Sequence, residues 1–250
     1  MTSDPLAPLV ALPGVAAASD QAREALGRAH RHRANLRRWP VTAAEAALRA
    51  ARASAVLEGG LKLDEQLDAS TAGDPIFAGA LRVAQALEGG ETTLVGVWQR
   101  APLQALARLH MLAAADRVDE SRLGRPRPDA DVGSRLELLA KIVTGVSQAP
   151  APVIAAVAHG ELLTLAPFGT ADGVVARAVS RLVTIATGLD PHGLGVPEVS
   201  WMRRAADYRD AARGFAAGTP NGIAAWLVLC CRAMRAGAQE ALSIADSLAE

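Results

Sequence analysis

LLTLAPFGTADGVVARAVSRL, residues 162–182, is where one apolar helical pattern ends and another begins. Pro167 stops the first run, Gly169, Asp172 and Gly173 lie in the loop, and a second amphipathic run follows. Backbone N–H groups at the start of a helix lack intrahelical partners and attract anions, so this layout suits a phosphate site. The loop offers no His, Lys, Ser or Cys, and its one ionisable group, Asp172, is an acid. It has the layout of a phosphate site without that site's chemistry.

Working outward, helical periodicity dominates and no alternating strand pattern of useful length occurs, which predicts an all-α fold. A first helix begins at Ser19 or Asp20, runs to about Arg38 and stops before Pro40. Thr42 and Glu45 form a T-x-x-E capping box for the next helix, which ends at Gly59 and Gly60. Asp74-Pro75 opens a helix closing at Gly89-Gly90, and another runs from Pro102 to about Ala115. Residues 116–133, DRVDESRLGRPRPDADVG, form the longest polar stretch and read as a surface excursion within one core. Ser134 and Glu137 cap a helix to about Ser147; further helices are expected at 153–165, 173–187, 198–217 and 220–248.

The composition narrows the function classes. Half of the 250 residues are hydrophobic and 3% are aromatic, so Ala, Leu and Val must fill the core. Lysine occurs only at Lys62 and Lys141, the formal net charge is zero, and no basic stripe stands out, which argues against a nucleic-acid partner. MTSDPLAPLVALPGVAAAS lacks a basic n-region, and the most apolar internal run, Ile223 to Cys231, is shorter than the about 20 residues a bilayer span needs. The adjacent Cys230 and Cys231 have no C-x-x-C partner and read as buried, reduced thiols. A cytoplasmic protein with no membrane partner is expected.

The loop resembles the motif of the Fic domain family, H-P-F-x-[D/E]-G-N-G-R-x-x-R, set between two helices. Aligned without gaps it falls on residues 166–177, where Pro167, Phe168, Gly173 and Arg177 match. AAVAHGELLTL before it, RAVSRLVTIATGLDP after it, and YRDAARGFAAGTPNGIAAWLVLCCRAM further on resemble the family's neighbouring helices, so the likeness covers most of residues 40–240. A second motif is independent of the first: Ser54-Ala-Val-Leu-Glu58-Gly59 fits [S/T]-x-x-x-E-[G/N], the pattern of the family's inhibitory helix. In the family, that glutamate pairs with the last motif arginine, which here is Arg177. The resemblance implies a Fic-like bundle of about eight helices, with the degenerate loop between two central ones. It implies a helical extension over residues 1–40 and a Fic-like domain over 41–250, the inhibitory-type helix occupying 42–59.

The departures are as informative. The family's histidine acts as general base, and Ala166 cannot. Its acid holds a metal, for which Thr170 supplies only a neutral hydroxyl. Ala171 and Asp172 replace the Gly and Asn of the anion-binding turn, and Asp172 brings a charge that repels phosphate. Val174 replaces the phosphate-contacting arginine. No residue is assigned a catalytic or metal-binding role. Phe168, Asp172, Gly173 and Arg177 remain as a remnant of the nucleotide loop, with Ser54, Glu58 and Gly59 as the inhibitory motif. Glu58 and Arg177 are expected to form a largely buried pair, and Asp172 to cap the helix starting near Gly173.

Other candidates fail. His159 and Glu161 make an H-x-E, but the P-C-x-x-C of a zinc deaminase is absent. His159 and His110 read as helix-packing residues, His30 and His32 as part of a solvated face, and His192 as a turn residue. Gly193-Leu-Gly195 follows no strand and is not a dinucleotide fingerprint. The expected function is a catalytically inactive Fic-like pseudoenzyme acting as a binding or regulatory protein, its partner another protein, a second copy of itself or a small ligand in the remnant cleft. No cofactor is expected, and ATP binding should be weak at most. The rival is an enzyme of altered chemistry on a phosphate-containing substrate.

Overall fold

The computed structural model describes residues 4–65, 68, 71, 73–88 and 93–248. Among them every regular element is helical. The N-terminal part comprises α1 (Ala7–Val10), α2 (Val15–Arg31) and α3 (Arg33–Glu58). Next come α4 (Pro75–Leu87), α5 (Thr93–Arg100), α6 (Pro102–Ala114) and α7 (Ala130–Lys141). The central pair is α8 (Ala151–Leu165) and α9 (Asp172–Ala186), followed by α10 (Pro197–Arg203), α11 (Ala205–Ala216) and α12 (Pro220–Ser247). No helix among the described residues is long and apolar enough to cross a membrane.

Caps and punctuation residues account for most boundaries. Asp74 accepts from Phe77 N–H at 2.7 Å with Pro75 behind it, and Thr219 does the same for Gly222 at 3.1 Å with Pro220. α3 ends in a Schellman turn: Gly59 takes φ 83°, its N–H bonds Val56 O and Gly60 N–H bonds Ala55 O. The expected end of α4 at Gly89-Gly90 lies outside the described residues.

Several boundaries differ from expectation, the first being α2, which begins at Val15 after Gly14 rather than at Ser19 or Asp20. The chain breaks at His32 and kinks at Arg38 (φ −132°, ψ 24°), so Pro40 sits in the first turn of the helical segment after the kink. A proline is tolerated there because that N–H needs no partner. Thr42 is therefore inside the helix and buried, and is no cap. α7 is capped by Asp129, whose side chain accepts from Asp131 N–H, ahead of the expected Ser134, and it runs into a π turn over Ile142–Val146. The single helix expected over 198–217 is two, because Arg204 (φ −123°, ψ 45°) leaves the helical region.

α8 and α9 pack against each other at the centre, and α9 buries every residue from Gly173 to Ile185. α2 lies along α12, contributing Val15, Ala22 and Leu26 to the interior. α3 packs on α4 and α10 and so brings its C-terminal end to the start of α9. Trp201 and Trp226 are fully buried beside α8. Cys230 and Cys231 are buried and unbridged, and burial drives the Cys230 thiol well above its ordinary range and that of Cys231 to about 12.

Candidate functional site

The α8–α9 loop closes on itself. Ala166 (φ 43°), Gly169 (φ 72°) and Ala171 (φ 57°) all adopt left-handed backbone. Two alanines thus hold conformations that favour glycine, and one of them stands where the family motif has its first Gly. Gly169 N–H bonds Ala166 O at 3.2 Å. Asp172 does not cap α9 as expected. It is the first helical residue, and its Oδ1 reaches backward to accept from Phe168 N–H at 2.9 Å, with Gly169 N–H also directed at the carboxylate. The loop places these N–H groups closer to Asp172 than the helix it begins can. Burial raises the Asp172 pKa, and the Phe168 and Gly169 N–H groups work against that rise.

Two residues outside the motif fasten the loop, and motif spacing points to neither role. Arg127, from the polar excursion, donates from Nε to Ala166 O (3.1 Å) and from Nη2 to Leu165 O (3.0 Å). Its own N–H bonds Pro167 O at 2.7 Å. It thereby satisfies the carbonyls left over at the end of α8. His110, on α6, stacks flat on Phe168 at 4.1 Å and 5°, and its Nδ1 accepts from Gly124 N–H at 2.9 Å. Burial lowers the His110 pKa, so the ring is a neutral packing element.

On the other side lies the α3 terminus. Arg177 Nη2 donates to Glu58 Oε1 at 2.8 Å and to Ser54 O at 3.2 Å, while Nε donates to Ser54 Oγ at 2.8 Å. The Arg177 side chain is 3% exposed and that of Glu58 23%, so the expected pair exists and is mostly buried. Glu58 also lies over the first turn of α9: a Cβ at Gly173 would collide with its Oε1. The carboxylate stands at the positive end of α9, where a phosphate would otherwise be favoured. Beside this latch the cavity bounded by Ser54, Val174, Arg177 and Glu198 measures only about 20 Å³. It is a packing gap between α3, α4 and α9, with room for a water at most.

The remaining histidines divide. His159 is wholly buried between Trp201, Tyr208 and Trp226, with Nε2 2.8 Å from the Tyr208 hydroxyl. Burial and then the Arg177 charge hold its pKa well below the usual value. Glu161 is held bidentately by Arg135 at 2.6 and 2.9 Å. The solvated face expected at His30 and His32 is not found. His30 Nε2 lies 2.8 Å from the buried Asp190 Oδ1, and His32 reaches Asp246 at 3.2 Å. Asp190 also accepts from Leu194 and Gly195 N–H, so its own carboxylate fills the glycine turn at 193–195. His192 stacks on Trp39 at 4.1 Å.

The family's metal does not fit here. Thr170 offers a neutral oxygen, Asp172 spends its carboxylate on loop N–H groups, and no group of three or more His, Cys, Asp or Glu suited to a metal occurs among the described residues.

No family model and no curated protein matches this sequence. The fold, in contrast, matches solved structures. It is similar to a Fic family protein from Desulfovibrio desulfuricans G20, with TM-score 0.70, 20% identity, and 92% of this chain and 74% of that one covered. It is also similar to Fic-1 from C. elegans, with TM-score 0.61, 16% identity and the same coverages. The chain has a Fic-like, all-α fold.

Proposed function

We propose that this is a Fic-fold protein without transfer chemistry, acting by binding a protein partner or a second copy of itself. The observation that carries this reading is Glu58, seated over the first turn of α9 and paired with Arg177. In the family, this contact competes with the nucleotide. Here it stands beside a loop whose base, metal acid and phosphate arginine are Ala166, Thr170 and Val174. Loss of one electrostatic part commonly costs about 3–4 kcal/mol of transition-state stabilisation, and several are absent together. The imidazoles of His110 and His159 are packed against aromatic rings and cannot replace the base. With its two cysteines buried as free thiols, the protein suits the cytoplasm.

Isothermal titration with ATP and Mg²⁺ tests this reading. The expected result is no saturable heat at millimolar nucleotide. A dissociation constant in the micromolar range, lost in Gly173→Leu, would contradict it.

A further inference from the structure

Away from the loop, α2, α10 and α12 border an open groove of about 990 Å³. Five arginines line it, Arg28, Arg203, Arg204, Arg232 and Arg235, against two acids, Glu24 and Glu240. Those acids are already engaged: Glu24 with Arg28 at 2.5 Å, and Glu240 with Arg49 at 2.5 Å and Arg203 at 3.9 Å. Arg204 pairs with the exposed Asp207 at 2.8 Å, Arg235 donates to the neutral Gln21, and Arg232 forms no ion pair among the described residues. The lining thus keeps three more arginines than acids, with Arg232 and Arg235 outside any of these ion pairs, on a chain whose net charge is zero.

A second, mainly apolar cavity of about 250 Å³ opens from it, sharing Ser200, Arg204 and Arg232 as a common rim. Its walls include Trp201, Tyr208, Val228 and Leu229, and the buried indole N–H of Trp201 has no partner among the described residues. A socket of this size takes one large apolar side chain. Guanidinium groups at its mouth pair with carboxylates in the forked geometry that Arg favours.

We propose that this composite groove binds an acidic peptide segment of a partner protein, with one aromatic or large aliphatic side chain inserted between Arg204 and Arg232. At about 990 Å³ the groove is larger than a small anion needs, and the socket gives it a selectivity that a purely charged surface lacks.

The test uses fluorescein-labelled heptapeptides of sequence DEDXEED, with X as Ala, Leu, Phe or Trp, and the basic control KRKFKRK, read by fluorescence anisotropy. Phe, Trp or Leu peptides should bind at least tenfold more tightly than the Ala peptide, and the basic control should not bind. Arg204→Glu with Arg232→Glu should abolish binding, and Ala225→Phe, which fills the socket from an exposed position, should remove the preference for X. Unchanged thermal melts of both variants would assign these losses to the site. Binding indifferent to X, binding unaffected by the variants, or heparin binding more tightly than every peptide would each overturn the proposal. ATP titration is independent of this outcome, so failure here leaves the reading of the α8–α9 loop untouched.

Discussion

Arg177 is almost wholly buried and donates twice to Ser54 and once to Glu58, with the Tyr208 hydroxyl also interacting with it. Removing Glu58 leaves that charge only partly compensated. Glu58→Ala should destabilise the fold by about 2–3 kcal/mol, short of a fully buried pair because Ser54 keeps its two bonds and Glu58 is partly exposed. Gly173→Ala alone should also destabilise, since its methyl meets Glu58 Oε1. In the Glu58→Ala background the same alanine should be neutral or stabilising by up to about 1 kcal/mol, reflecting helix propensity. Urea unfolding of the four proteins measures the coupling, and additive values would remove Glu58 from its place over α9. Asp190 gives a prediction in pH. Burial raises its pKa, but the His30 contact and backbone N–H donors outweigh this and hold it below the ordinary carboxylate range. Its folded pKa thus lies below the unfolded one. The stabilisation is complete above the unfolded value of about 4 and is lost as pH falls through the lowered folded value. Asp190→Asn should cost about 3 kcal/mol at pH 7 and progressively less below pH 4, as read from denaturation midpoints. A constant difference across that range would show that its charge is not what matters.

At the scale of elements, the α8–α9 loop stores backbone strain at Ala166 and Ala171. Ala166 is only half-buried and ends α8 in left-handed backbone, the position that glycine occupies in many helices. Ala166→Gly should therefore raise stability by about 0.5–1 kcal/mol in a thermal or chemical melt, and a loss would mean the strain is absent. Boundaries written in proline, glycine and short caps were legible in the sequence: Asp74-Pro75 and Gly59-Gly60 both act as local chemistry dictates. The break at Arg204 was not, because neither Gly nor Pro marks it. At Asp172 the spacing allowed two sets of N–H donors, and only the loop conformation chooses between them.

At the scale of the molecule, the Glu58–Arg177 pair was legible despite a separation of 119 positions because two motifs each carried one partner. The His30–Asp190 pair and the Arg127 clamp had no such marker, since partners 160 and 38 to 39 residues apart leave no periodic trace. Together α3, α6 and the polar excursion enclose the loop and the start of α9 from three sides. The most direct test of the inactive reading is transfer of radiolabel from α-labelled ATP to protein. Wild type is compared with a form carrying Ala166→His, Thr170→Asp, Ala171→Gly, Asp172→Asn, Val174→Arg and Glu58→Gly. A protein that has lost transfer chemistry gives no label above background, while the restored form labels itself or an added lysate. Wild type labelling as strongly as the restored form would contradict that reading.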